Sequence, residues 1–160
     1  MQTQPRLEYD RVNPQAYNAM LTFSRFTRSS IIEKPLLELV RVRASQINGC
    51  AYCVDMHTKD ARAGGETEQR LYALSVWRET PFYSERERAA LEWTEAITLI
   101  SDNHVSDELY ALVNQHFSEA ELVDLTVAII VINGWNRLAI PFRDVAGTYE
   151  PAPVAQPADN

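Results

Sequence analysis

Val127-Ala128-Ile129-Ile130-Val131-Ile132 is the one stretch of this chain with strand character. Its β-branched residues favour a pleated, half-buried surface. What surrounds the stretch overrides that preference. Ser118 and Glu121 stand in the S-x-x-E relation of a capping box at a helix start. The apolar pattern then continues past the stretch through Trp135, Leu138 and Phe142. Read as one helix from Glu119 to about Leu138, the segment is apolar on nearly every side, which marks a helix buried in a core or in a subunit interface. With that reading the chain loses its one candidate strand, and the expected fold class is all-α.

Working outward, the remaining sequence also carries helical periodicity. Pro14 to Phe26 reads as a first helix. A second runs from Pro35 to about Ile47, with Pro35 at the first helical position, where a missing N–H does no harm. Asn48-Gly49 ends it, and a third helix runs from near Cys50 to Ala63, stopped by Gly64-Gly65. Thr67 caps a short helix through Leu74. Ser84 and Glu87 form a second capping box ahead of Glu85–Ile100, and Ser106 caps a helix to about Gln115. The sum is about seven helices in a single domain over residues 1–146, with its core in 35–142 and a Pro/Ala-rich, polar tail over 147–160 that is expected to be a loose arm. There is also a faint internal echo. Glu38-Leu39-Val40 leads to Ile47-Asn48-Gly49-Cys50, and Glu121-Leu122-Val123 leads to Ile132-Asn133-Gly134-Trp135, with spacings that differ by two residues. The second unit has no cysteine, so any sulfur chemistry belongs to the first.

Composition narrows the function classes. The 160 residues are 46% hydrophobic, enough for a real core. Against 15 Lys and Arg stand 22 acids, a formal charge of -7 with no basic block, which argues against nucleic acid as a partner. Residues 1–14 lack the apolar segment of a signal peptide. The longest apolar run, Val127–Ile132, is far shorter than the roughly 20 residues of a membrane span. The expectation is a cytoplasmic protein with no membrane partner. Two cysteines in a reducing compartment point to catalysis, redox sensing or metal binding rather than a structural staple.

Those two cysteines lie together, as Cys50-Ala51-Tyr52-Cys53, with His57 four residues on. On a helix the i, i+3, i+7 spacing puts Cys50, Cys53 and His57 on one face. At the helix start, orphan N–H groups and the positive dipole end favour a thiolate, and His57 is one turn from Cys53, within reach of its proton. If the second and third helices form an antiparallel hairpin turning at Asn48-Gly49, Glu38 comes opposite His57. A carboxylate there raises the imidazole's basicity and fixes its tautomer. The relay so read is Glu38, His57, Cys53.

Each residue alone has a plainer reading. Glu38 suits a solvated helix acid paired with Arg41, His57 a surface or core histidine, and CxxC two inert buried thiols. The joint spacing favours the site. His104 and His116 read as loop or helix-end residues, and Trp77, Trp93 and Trp135 as packing residues. Zinc is the rival chemistry: it takes four ligands, often as two pairs, and here one pair and His57 leave Glu38 as the fourth. A thioredoxin-type pair belongs with a βαβ pattern that this chain lacks.

Glu38, eleven residues, Cys50-x-x-Cys53, three residues and His57 together resemble the E-x11-C-x-x-C-x3-H signature of AhpD-like alkylhydroperoxidases, in the carboxymuconolactone decarboxylase superfamily. Leu39 to His57 and Asn133-Gly134-Trp135-Asn136-Arg137-Leu138 are similar to that family as well, and the resemblance covers roughly Pro35 to Phe142. It implies an all-helical fold and a homo-oligomer, a trimer or hexamer. It also implies a peroxidase in which Cys53 is the peroxidatic thiol, Cys50 the resolving thiol, and Glu38 and His57 the proton relay. Its partners would be a hydroperoxide substrate and a dithiol reductant, either a protein or a lipoyl-type donor, with no metal or organic cofactor. Tyr52 stands where the best-characterised members have a histidine.

Overall fold

A computed structural model describes residues 4–152. Among them the regular structure is helical throughout: α1 (Tyr9–Val12), α2 (Pro14–Phe26), α3 (Lys34–Asn48), α4 (Ala51–Ala63), α5 (Glu68–Ala73), α6 (Glu85–Thr98), α7 (Ile100–Asn103), α8 (Asp107–Val113) and α9 (Glu119–Phe142). Short 3-10 turns follow α2 and α5. The fold class is therefore the all-α one expected, with Val127–Ile132 in the middle of α9. Two one-turn helices, α1 and α7, raise the number above seven. The second arises because Leu99 leaves helical geometry at φ -104, ψ 33, which divides the expected Glu85–Ile100 helix in two.

The α3 helix is the central strut. It packs against α4, α6 and α9, and Leu39, Val40, Val42 and Ala44 along it are completely buried. One side closes over Leu36, Leu37 and Val40 with Trp93 of α6 and Leu125 and Ile129 of α9. Another closes over Leu39 and Val42 with Leu71, Leu74 and Trp77. Burying apolar surface at roughly 25 cal/mol per Å² on both flanks of one helix is what holds it as the axis of the molecule.

At its C-terminus α3 stops at Gly49, which takes φ +71, a left-handed conformation that costs an L-residue about 1–2 kcal/mol. The chain reverses there and α4 returns antiparallel after a two-residue connection. This hairpin sets Glu38 and His57 opposite each other.

The α9 helix runs four residues beyond the expected Leu138, through Pro141 to Phe142, and ends at a left-handed Arg143. Pro141 lacks the N–H that would bond the carbonyl four residues back, so the last turn forgoes one helical bond. By length and composition α9 could cross a membrane: its 24 residues include an 18-residue window of mean hydropathy 1.4. The uninterrupted run Val127–Ile132 understates this because Asn133, Gly134 and Asn136 dilute the apolar pattern without breaking the helix. In this domain α9 is a core helix, with Leu125, Ile129, Ile132 and Asn136 buried.

The two Asn-Gly units of the sequence echo meet at the α3–α9 seam. The Asn48 amide donates to the Asn133 and Asn136 side-chain oxygens at 3.0 and 2.8 Å. The tail is fastened at its start. The Gly147 N–H donates to Asp55, Lys59 Nζ donates to the Tyr149 carbonyl, and the Tyr149 hydroxyl donates to Asp60, at 2.9, 2.8 and 2.7 Å. Residues 153–160 of the expected arm lie outside the described residues.

Candidate active site

Cys50 is the N-cap of α4, with extended backbone, and its sulfur accepts the Cys53 N–H at 3.4 Å. Three residues on, Cys53 faces the same way, and the two form a disulfide with a Cα–Cα distance of 5.4 Å. Both cysteines are only 2% exposed, packed among Ala44, Ile132, Ala139 and Tyr52. The disulfide is thus shielded from solvent.

One turn beyond Cys53, His57 is buried, and its Nδ1 lies 2.9 Å from Glu38 Oε2. An N–H at Nδ1 donates to that carboxylate, which turns Nε2 away from Glu38. The other Glu38 oxygen is held by the Arg41 guanidinium, which in turn donates to Thr27 Oγ1 at 3.2 Å. The Glu38–Arg41 pair expected of a solvated acid is present, but the acid is largely buried and serves His57 as well. Burial pushes the Glu38 carboxyl up. The His57 hydrogen bond and the Arg41 charge outweigh it and hold the group below its ordinary range, so it is ionised at neutral pH.

Glu38, Arg41 and His57 line a cavity of about 300 Å³ together with Asp60, Ile132 and Trp135. Ile132 also packs on the disulfide, so the cavity and the sulfurs share a wall. Trp135, expected as a packing residue, packs edge-on against Tyr17 and donates from its indole to Ser24 at 2.6 Å. His104 and His116 lie in the connections after α7 and α8 and do not line the cavity. A larger groove of about 790 Å³ between α4, α5 and the tail holds none of the relay groups.

Asp60 is the residue that the sequence reading passed over. A carboxylate oxygen of Asp60, a ring nitrogen of His57 and a Glu38 oxygen all lie within 4.8 Å of one another. The signal was present: Asp60 continues the face of Cys50, Cys53 and His57 by a further three residues. Its partner Tyr149 had no local signal. Burial and the Asp60 hydrogen bond push the Tyr149 phenol up to about 12. Tyr52 packs on the disulfide cluster but lines a different pocket, of about 350 Å³, with Tyr9, Tyr17 and Asp144.

In the oxidised pair the two sulfurs are bonded to each other, and His57 is hydrogen-bonded to Glu38. Glu38, His57 and Asp60 offer three donor atoms. The Arg41 guanidinium sits against the Glu38 carboxylate and partly offsets its charge.

An all-helical domain with a disulfide-forming CxxC at a helix N-cap and a His–Glu pair one turn away is AhpD-like in fold and arrangement. The chain belongs to the carboxymuconolactone decarboxylase family, whose pattern matches residues 14–96. It is 48% identical over 143 residues to the uncharacterized protein YdfG of Bacillus subtilis, across 89% of this chain and 97% of that one. Among solved structures, a protein of unknown function from Agrobacterium tumefaciens, provisionally named as the antioxidant defence protein AhpD, is 42% identical. It superposes with a TM-score of 0.88 over 91% of this chain and 100% of that one. The debrominase Bmp8, at 21% identity and a TM-score of 0.76, shares the fold over 85% of this chain and 73% of its own.

Proposed function

We propose that the protein is a thiol-dependent peroxidase that reduces hydroperoxides through Cys50 and Cys53. The observation that carries this reading is the ionised Glu38 bonded to His57 one turn from a cysteine pair that closes a disulfide. In the reduced enzyme His57, oriented by Glu38, takes the Cys53 proton. The thiolate attacks one oxygen of the O–O bond and becomes a sulfenic acid, and the other oxygen leaves as an alcohol after protonation. The Cys50 thiol then attacks the sulfenic sulfur, expels water and forms the disulfide seen here. A dithiol donor restores both thiols by exchange and leaves as its own disulfide. Cys53, Cys50, His57 and Glu38 supply the protein groups of the oxidative half of the cycle, and the dithiol donor supplies the two electrons that close it.

Burial of both sulfurs favours a slender donor such as a lipoyl-type arm over the rigid surface of a folded protein. The same burial weighs against the second use of such a pair, disulfide exchange with protein substrates. The reading also expects a reducing compartment, where a dithiol donor is kept reduced.

The test is consumption of an organic hydroperoxide with dihydrolipoamide as donor. Cys53→Ser should lose turnover altogether. Cys50→Ser should complete one round and stop with a sulfenic acid on Cys53, visible as one added oxygen by mass spectrometry. Wild-type turnover in Cys53→Ser would sink the assignment.

A further inference from the structure

We propose that Asp60 and Tyr149 are positioning residues for His57: the Asp60 carboxylate supports positive charge on the imidazole, and the Tyr149 hydroxyl sets how much of that support His57 receives. The juxtaposition is direct. Asp60 lines the same cavity as His57 and Glu38, and the three groups lie within 4.8 Å of one another. Tyr149 reaches Asp60 from the far end of the chain, 89 residues away in sequence, with a hydroxyl hydrogen bond of 2.7 Å. Two further ties, Gly147 to Asp55 and Lys59 to the Tyr149 carbonyl, hold that segment against α4. The phenol is therefore placed by the fold and not by a chance rotamer.

The groups around His57 make the sign of the effect clear. From α3 it faces Glu38, whose charge Arg41 partly offsets. From its own helix it faces Asp60, with Cys53 one turn back in the disulfide. The 3-10 turn after α2 contributes Arg28 to the cavity, and α9 contributes only Val131, Ile132 and Trp135, none of them titratable near neutrality. With Glu38 shared between His57 and Arg41, Asp60 is the second anion beside the ring. A nearby carboxylate favours imidazolium, and a hydrogen bond donated to that carboxylate spreads its charge and weakens the effect. Asp60 thus raises the basicity of His57 and Tyr149 moderates it. Their role in catalysis rests on the peroxidase reading, but their effect on His57 does not.

The test uses the full-length oxidised protein, so that no free thiol enters the titration. The His57 ring resonance is followed by NMR against pH and identified by its absence in His57→Gln. Asp60→Asn removes the charge while leaving an oxygen for the Tyr149 hydroxyl, and should lower the His57 pKa by about one unit. Tyr149→Phe removes only the hydroxyl and should raise it by a few tenths of a unit. General loosening of the fold would move both variants the same way. A His57 pKa unchanged in Asp60→Asn, or shifts of the same sign in the two variants, overturns the proposal. In the peroxide assay, the acid limb of the pH–rate profile should move to lower pH in Asp60→Asn. NMR shifts of opposite sign in a protein that consumes no peroxide would leave this inference standing and remove the peroxidase reading.

Discussion

Asn136 is an amide with no exposed surface in the middle of α9. Its oxygen accepts from Asn48 at 2.8 Å, and its nitrogen donates to the buried Ser45 hydroxyl at 3.1 Å. Truncating it leaves the Ser45 hydroxyl without its donor, takes one of two acceptors from the Asn48 amide and opens a small void at the α3–α9 seam. Asn136→Ala should lose about 2–3 kcal/mol, read as a lower denaturant midpoint with an unchanged slope; a loss under about 0.5 kcal/mol would mean the amide network is incidental. At this scale the site was legible wherever helical periodicity carries the information. Cys50, Cys53 and His57 share a face by spacing alone, and Glu38 follows from one reversal at Gly49. Asp60 obeys the same period. Tyr149 and Thr27 could not be found that way, because they reach the site through contacts that no local pattern encodes.

Among the elements, α9 is begun by a capping box in which the Glu121 carboxylate accepts from both the Ser118 N–H and its hydroxyl at 2.8 Å. Those two bonds, and then the Arg86 guanidinium, push the Glu121 carboxyl from its ordinary 4.5 to about 2. A carboxyl held low in the folded state adds stability that is complete above its unfolded value and lost as pH falls through the folded one. Acid unfolding followed by circular dichroism should therefore be steeper in wild type than in Glu121→Gln between about pH 4.5 and 2. Glutamine keeps the capping geometry, so identical acid limbs would show that the charge contributes nothing. The same capping box is why Val127–Ile132 could be read as helix against its β-branched composition. The far end of α9 was harder to read, since a proline usually marks a stop and Pro141 instead occupies the last turn. The break at Leu99 carries no glycine, proline or cap, and had no signal to read.

For the molecule as a whole, Val123, Val127 and Ile130 follow one another at i, i+4, i+7 along α9. Val123 and Ile130 are 62% and 48% exposed on a helix whose opposite side forms the core. That is a second apolar stripe, and among the described residues nothing covers Val123 and Ile130. Light scattering at micromolar concentration should give three or six times the 18.2 kDa chain mass, and Ile130→Glu should reduce it to one. A monomeric wild type would remove the oligomer from the reading. The overall class was legible because composition and periodicity agree along nearly the whole chain, whereas the fastening of the tail onto α4 depends on three side chains that local pattern does not connect to it.

Cys50 finally ties two equilibria to one atom. Its sulfur stops the first turn of α4 by accepting the Cys53 amide and also carries half of the disulfide. By thermodynamic reciprocity, anything that tightens that turn also favours whichever redox state caps it better, and a change of redox state alters the order of the turn by the same free energy. A state in which Cys50 caps the turn less well would therefore be read at the helix end as lower backbone order.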